Sequence, residues 1–330
     1  MIITQTPLRI SLAGGGTDFA GFYEQEGGCV VSTAIDKYIF VIVKERFDDK
    51  IYVNYSQKEI VDQIDDLKHE LVREAMRKTG VLNGIEITTL ADIPSEGSGL
   101  GSSSSLTVGM LNALYTYQGD SRPAEQLAQE ACEIEIDILG KPIGKQDQYI
   151  AAFGNLRRID FRSDGTVDVE RIVLSDQRRR QLSNSLMLFY TERTRKSEEI
   201  LEEQKAGIQD KSAVLKQMRD QASHAPQILE TGKLDEVGAM LDKGWQMKKS
   251  LATRISDREL DEMYDKARYA GALGGKISGA GGGGFLLVYC PPDRHEAVQQ
   301  ALSDYREMPF SMEQDGSKVI FNVRREGWPK

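Results

Sequence analysis

Apolar residues, many of them β-branched or aromatic, crowd residues 29–44, and with residues 1–12 they predict two N-terminal strands. Residues 51–55 read as a third, short strand. Ser56 then caps a predicted helix whose apolar positions, Ile60, Ile64, Leu67, Leu71 and Ala75, recur at helical spacing until Gly80. Residues 84–90 alternate like a strand and lead into a Gly/Ser-rich loop. Helices are predicted over 102–118 and 123–139, the second with Pro123 near its first turn and Gly140 past its end. A hairpin follows over 156–173, turning at Ser163-Asp-Gly165, and a strand over 186–190. Long helical stretches cover 196–206, 211–230, 233–250 and 257–271. The chain closes with a strand over 284–289, a helix near 293–305 and a strand over 319–323. Strands and helices mix without strict alternation, which predicts an α+β fold rather than a doubly wound sheet. The polar segment 175–181 is the expected boundary between a domain over 1–180 and another over 181–330.

Composition narrows the function classes. A chain of 330 residues with 40% hydrophobic content is long enough for two cores. No apolar run reaches the length a bilayer requires, and the N-terminus lacks the pattern of a signal peptide. A net charge of −9 disfavours a nucleic-acid partner. The basic runs Arg157-Arg158, Arg178-Arg179-Arg180 and Arg324-Arg325 read as solvated surface. Cys29, Cys132 and Cys290 are odd in number and far apart, as reduced cytoplasmic thiols are. The scattered His69, His224 and His295 argue against zinc, so any metal is expected to be a hard cation on oxygens. A homodimer is compatible with the sequence but not fixed by it.

Four segments carry candidate chemistry. In Pro94-Ser-Glu-Gly-Ser-Gly-Leu-Gly-Ser-Ser-Ser-Ser105, a glycine-punctuated loop opens a helix. Its bare N–H groups point outward with partial positive charge, and Gly97, Gly99 and Gly101 let that backbone approach an anion. A plain loop with a serine cap is the alternative. Loop residues Gly97, Gly99, Leu100, Gly101, Ser102, Ser103, Ser104 and Ser105 are the candidate phosphate cradle. Glu135 and Asp147 flank a Gly-Lys-Pro-Ile-Gly turn; they are either surface acids or the two carboxylates that phosphoryl transfer needs. In Gly274-Gly-Lys-Ile-Ser-Gly-Ala-Gly-Gly-Gly-Gly284 the glycines mark a hinge or a close approach of backbone or ligand. In Pro7-Leu-Arg-Ile-Ser-Leu-Ala-Gly-Gly-Gly-Thr-Asp18, Arg9 and Asp18 can reach one pocket at a strand end.

In this order and spacing the three glycine-rich segments resemble the GHMP kinase superfamily, and the resemblance spans nearly the whole chain. It implies a two-domain α+β fold with an N-terminal domain like ribosomal protein S5 domain 2 and a ferredoxin-like C-terminal domain. It implies ATP over the Gly97–Ser105 loop, with Mg²⁺ on Ser103 and Glu135 bridging the β- and γ-phosphates. By the same similarity Asp147 orients or deprotonates the acceptor hydroxyl, Arg9 lies near the transferring phosphoryl group, and Asp18 binds sugar hydroxyls. The spacings from Glu135 to Asp147 and from Arg9 to Asp18 are those of galactokinase-like members.

One departure bears on the substrate. Where galactokinases carry Glu-His, this chain has Gly15-Gly16 before Thr17-Asp18. That version resembles bacterial D-glycero-D-manno-heptose 7-phosphate kinases, with fucokinase-like enzymes as near relatives. It implies phosphorylation of the anomeric hydroxyl of a sugar phosphate. The candidate substrate contacts are then Gly15, Gly16, Thr17, Asp18, Gly281 and Gly282. The phosphate at the sugar's far end would meet Arg193 and Arg195, with Lys37 adding charge; an exposed basic turn is the alternative for the arginines. Rival readings are a kinase for an unphosphorylated sugar, an ATP-dependent decarboxylase, and a non-catalytic sensor.

Overall fold

The computed structural model describes residues 1–94, 97–193 and 197–323. The chain opens on a long antiparallel pair, β1 (Ile2–Ala13) and β2 (Gly28–Glu45), joined through helix α1 (Ala20–Glu26). There follow β3 (Ile51–Asn54), β4 (Lys58–Val61), α2 (Glu70–Thr79), β5 (Ile85–Ala91), α3 (Ser102–Gln118), α4 (Ala124–Cys132), α5 (Gln146–Phe153) and the hairpin of β6 (Leu156–Phe161) and β7 (Val167–Arg171). These seven strands form one sheet. β2 is long enough to serve two neighbours, pairing β6 through residues 28–33 and β5 through residues 39–45. Helix α3 lies directly on β1. A Cβ at Gly109 would fall 2.6 Å from Thr6 Oγ1, and Thr4 Oγ1 donates to the Gly109 carbonyl at 2.9 Å, so only glycine allows this approach.

The second half contains α6 (Asp176–Asn184), β8 (Leu186–Tyr190), α7 (Ser197–Ala206), α8 (Ser212–Glu230), α9 (Asp235–Lys249), α10 (Arg258–Tyr269), β9 (Gly274–Ile277), β10 (Phe285–Tyr289), α11 (His295–Ala301) and β11 (Lys318–Asn322). Strands β8, β10 and β9 form an antiparallel sheet in that order. Residues 306–308 lie along the free edge of β8, where the Tyr190 N–H donates to the Arg306 carbonyl (2.9 Å) and the Met308 N–H to the Leu188 carbonyl (2.8 Å). The resulting order is ferredoxin-like, with four helices in its first crossover. β11 returns to the first sheet and pairs β1, so residues beyond 180 serve both sheets. The core of the second half, with Trp245, Phe189 and Leu286 fully buried, takes in Phe19 and Phe22 from the first. The α+β architecture is as expected.

The helix expected from Ser56 and the solvated reading of Arg178 both fail. The helix predicted from Ser56 to Gly80 is strand β4, a 3₁₀ turn at Ile64–Asp66 and only then α2. Ile60 is 48% exposed, whereas Glu59 is buried, so the apolar spacing there is accidental. Glu59 reaches inward to accept from the Lys68 and His69 N–H groups (2.6 and 3.1 Å), capping the approach to α2 from the preceding strand. The polar segment 175–181 is mostly helix α6, capped by the Ser175 hydroxyl. Arg178 is not solvated surface. Its guanidinium donates to the carbonyls of Ile228 (2.9 Å), Leu229 and Gly232 (2.5 Å) and closes the C-terminus of α8. Arg324 and Arg325 lie outside the described residues.

Candidate active site

The Gly/Ser loop and α3 form the first wall. Gly97, Gly99 and Gly101 all have positive φ (69°, 71° and 80°), and Gly101 caps α3. The N–H groups of Ser102, Ser103 and Ser104 have no carbonyl partner within the helix. Of the four serines only Ser103 is exposed. The hydroxyl of Ser102 pairs with Ser98 (3.1 Å), Ser104 donates to Glu135 (2.7 Å) and Ser105 to the Pro7 carbonyl (2.8 Å). Three hydroxyls therefore anchor the helix start and leave Ser103 at its rim. The Leu100 side chain is buried, and its carbonyl accepts from the Arg9 N–H at 3.0 Å, tying the loop to β1.

The third glycine-rich segment lies against this loop, backbone to backbone. A Cβ at Gly99 would sit 2.5 Å from the Ser278 carbonyl oxygen, and one at Gly279 would sit 2.5 Å from Gly99 Cα. Close approach, not a hinge, explains the glycines there. Gly281 and Gly282 instead pack on Ile255, whose carbonyl accepts from the Gly282 N–H at 2.8 Å.

Glu135 lies on a π-helical stretch, Glu133–Ile138, that continues α4. Such turns reorient side chains and recur at functional sites. Its carboxylate is fully buried and accepts from Ser103 (2.6 Å), Ser104 (2.7 Å), Thr107 (3.1 Å) and Gln148. Burial raises its pKa above the ordinary value, and the four donors oppose that shift. Ser103 Oγ and Glu135 Oε1 are hard oxygens at the loop's rim, as Mg²⁺ prefers, and no larger acidic or histidine cluster exists among the described residues. Mg²⁺ is commonly held by one or two protein groups plus substrate phosphates, so this pair fits it.

The neighbouring residue on α5 turns the other way. Asp147 accepts a fork from Arg9, Nε to Oδ1 at 2.7 Å and Nη2 to Oδ2 at 2.5 Å, while Arg9 Nη1 donates to the Gly99 carbonyl at 2.6 Å. Gln148 and Asp147 thus join the Glu135 nest to the Arg9 pair within one helical turn. Asp18 completes this group. It is buried and accepts from the Gly16 N–H (2.9 Å) and the Gln146 N–H (3.2 Å). Burial, and then the nearby charge of Asp147, raise its pKa, while the two N–H bonds lower it. Gly144 permits the contact, since a Cβ there would lie 2.0 Å from Asp18 Oδ2.

Other expected contacts fall elsewhere. The Thr17 hydroxyl is fully buried and exchanges hydrogen bonds with the Cys29 backbone (2.9 and 3.1 Å), so it braces the turn rather than facing a ligand. Gly15 lies beside Ser11 and Gln146, and Gly16 beside Leu215 and Leu251. Lys37 pairs with its neighbour Asp36 at 3.0 Å, and no bond among the described residues links it to Arg9 or Asp147. Arg193 is engaged by Asp257 (2.9 Å) and Glu259 (3.1 Å), its fork already filled by carboxylates. Arg195 lies outside the described residues.

Sequence reasoning missed two lysines. Lys248 on α9 and Lys276 on β9 are buried and sense the charges of Arg9 and Asp18. Lys248 donates to the Gly279 carbonyl, and Lys276 to the Ser11 carbonyl at 2.9 Å. Burial, then the charge of Arg9, depress Lys248 from 10.5 to about 8. Burial, then the charge of Lys248, hold Lys276 well below its ordinary value. One signal was available: Leu241, Trp245 and Lys248 share a helical stripe whose other members are core.

The chain is 30% identical to a D-glycero-alpha-D-manno-heptose 7-phosphate kinase of Campylobacter jejuni over 96% of its length and 98% of the relative's. It is 26% identical to a galactokinase of Pyrococcus furiosus over 91% of this chain and 92% of that one. Among solved structures, a D-glycero-D-manno-heptose 1-phosphate kinase from Bacteroides thetaiotaomicron superposes with a TM-score of 0.82 at 26% identity, covering 98% of this chain and 100% of that one. The GHMP kinase N-terminal domain model matches residues 67–155 and the C-terminal model residues 225–307. Both domain models and a relative matched over nearly the whole chain point the same way: this chain is a member of the GHMP kinases, phosphotransferases that use an alcohol group as acceptor.

Proposed function

We propose that this kinase transfers the γ-phosphoryl group of ATP to the anomeric hydroxyl of D-glycero-D-manno-heptose 7-phosphate, yielding the 1,7-bisphosphate. The observation that carries the reading is the Arg9 guanidinium, which joins Asp147 on one side to the Gly99 carbonyl of the phosphate loop on the other. A donor phosphate over the loop and an acceptor hydroxyl at Asp147 would then meet beside one cation. The Campylobacter relative, a kinase of heptose 7-phosphate, and the Gly15-Gly16-Thr17-Asp18 turn support this choice of sugar.

Each residue has a definable task. Open N–H groups at the start of α3 receive the phosphates. Ser103 and Glu135 would hold Mg²⁺, which when bound neutralises phosphate charge. Asp147 has both oxygens engaged by Arg9, yet each keeps a free lone pair. It can therefore accept from the sugar hydroxyl and orient it. Arg9 moderates the charge that develops on the transferring group, and alignment with electrostatics supplies most of the rate. Asp147→Ala should lower kcat by about 10²–10⁴-fold with nucleotide affinity retained. Near-normal turnover in that variant would remove Asp147 from the chemistry.

One observation favours a second reading. The Arg193 fork is filled by Asp257 and Glu259, so the expected far-end phosphate contact is not open. A kinase acting on an unphosphorylated sugar, as a fucokinase does, needs no such contact. ADP release measured against heptose 7-phosphate, heptose, fucose and galactose, with NMR to place the new phosphate, separates the two. The first reading requires heptose 7-phosphate to be preferred and the new phosphate to sit on its anomeric carbon.

A further inference from the structure

Lys248 and Lys276 are buried beside Arg9 and Asp18, 5% and 6% exposed, and the mechanism above uses neither. An ammonium group has three N–H donors. Each lysine has one acceptor, the Gly279 carbonyl for Lys248 and the Ser11 carbonyl for Lys276, and among the described residues neither forms an ion pair. Buried cations are normally paired, because an isolated one is costly. Two further buried polar atoms, on residues beside Gly15, have no hydrogen-bond partner among the described residues. They are the Ser11 hydroxyl and Gln146 Oε1. Both residues flank Gly15, where a Cβ would come 3.5 Å from Ser11 Oγ and 3.6 Å from Gln146 Nε2. The charged groups facing the lysines are Arg9 from β1, Asp18 from the turn that follows and Asp147 from α5. Were both amines protonated, three cations would face two carboxylates, an excess of positive charge that an arriving anion offsets.

We propose that Lys248 and Lys276, together with the Ser11 hydroxyl, form an anion subsite that receives a phosphoryl group of a bound reactant beside Arg9. Two phosphates are within its geography. Gly279, the partner of Lys248, lies on Gly99 of the phosphate loop, so the terminal phosphate of the nucleotide is one source. Ser11, the partner of Lys276, lies beside Gly15 in the acceptor turn, so a phosphate carried by the sugar is the other. The chemistry of both is a phosphate dianion. Its arrival reverses the depression of both amines, so binding draws protons from solution. The subsite rests on the kinase reading but not on the identity of the sugar.

Isothermal titration at pH 8, in buffers of different ionisation heat, counts those protons in the wild-type enzyme. The ligands are a non-hydrolysable ATP analogue with Mg²⁺, heptose 7-phosphate, and heptose. Uptake with the analogue assigns the subsite to the nucleotide's terminal phosphate. Uptake with heptose 7-phosphate and none with heptose assigns it to the acceptor's phosphate. Lys276→Met should cut the uptake to the share of Lys248 and weaken that one ligand at least tenfold, leaving the other within twofold; Lys276→Arg should restore affinity at the same reduced uptake. No uptake with any phosphate ligand that binds overturns the subsite, whether or not the variants fold. Failure of the heptose reading looks different: heptose 7-phosphate neither binds nor turns over in the wild type, while the nucleotide arm still reports.

Discussion

Glu135 and Lys276 are both buried charged groups in one cleft, yet their surroundings differ sharply. The carboxylate accepts from four side chains on α3 and α5, whereas the amine has a single carbonyl. The anionic half is filled before any reactant arrives, and the exposed Ser103 is the donor that Mg²⁺ would replace on Glu135. The cationic half is not filled, and its remaining donors have no partner among the described residues. A fully satisfied network holds geometry, and an incomplete one stores unfavourable charge that a ligand can relieve. The contrast assigns rigidity to the metal-side carboxylate and ligand-dependence to the lysine side.

The largest effect should come from breaking the complete half. Glu135→Leu leaves Ser104 and Gln148 without their buried acceptor, at about 1–3 kcal/mol for each donor left unsatisfied, while Thr107 keeps the Ser103 carbonyl at 3.1 Å. Thermal unfolding should fall steeply and activity should be lost. Glu135→Gln keeps the shape and one acceptor oxygen, so it should recover much of the stability but little of the turnover. If Glu135→Leu unfolded at the wild-type temperature, the nest would not be the rigid partner in the comparison.

The incomplete half should respond with the opposite sign. Lys248 is depressed from 10.5 to about 8, which corresponds to roughly 3 kcal/mol of unfavourable burial when both states are protonated. The folded state releases its proton more readily than the unfolded chain does. The penalty is therefore full below pH 8 and fades as pH climbs toward 10.5, where both forms are neutral. Lys248→Met should raise the unfolding temperature of the ligand-free enzyme most at pH 7, less at pH 9, and lower kcat or affinity about tenfold, a trade of function against stability. A destabilised Lys248→Met protein at pH 7 would show that the amine is already satisfied.

The two halves were not equally legible. Helix α3 spans the 102–118 expected from the sequence, and Gly101 and Gly119 bracket it in left-handed conformation. The strands of the long β1–β2 pair announced themselves through β-branched runs. Glu135 and Asp147 could be singled out, but their roles came from the resemblance. Arg9 and Asp147 are 138 positions apart, and no local pattern relates them. The lysines were hidden differently. Lys276 sits inside a glycine-rich run that reads as a loop but whose start is strand β9, and Lys248 occupies a core position on α9 where a charge is unexpected. Charge compensation across the cleft is a tertiary property, and local periodicity does not encode it.

Arg193 supplies the smallest and sharpest test of where a far-end phosphate would be read. Its guanidinium is 28% exposed and bound by Asp257, which also caps α10 by accepting from the Leu260 N–H at 3.2 Å. The Glu259 partner is 75% exposed and adds little. An exposed pair such as that with Glu259 contributes about 0–1 kcal/mol, and the half-buried fork to Asp257 somewhat more. Arg193→Ala should therefore lower the unfolding temperature by only about 2 °C and leave KM for ATP and for heptose 7-phosphate within twofold. Its carboxylate partners would have to let go before it could bind a phosphate. A rise in KM for the sugar phosphate alone, well beyond twofold, would mean that they do. The far-end phosphate would then belong to the α10 edge, leaving only the nucleotide's terminal phosphate for the two buried amines.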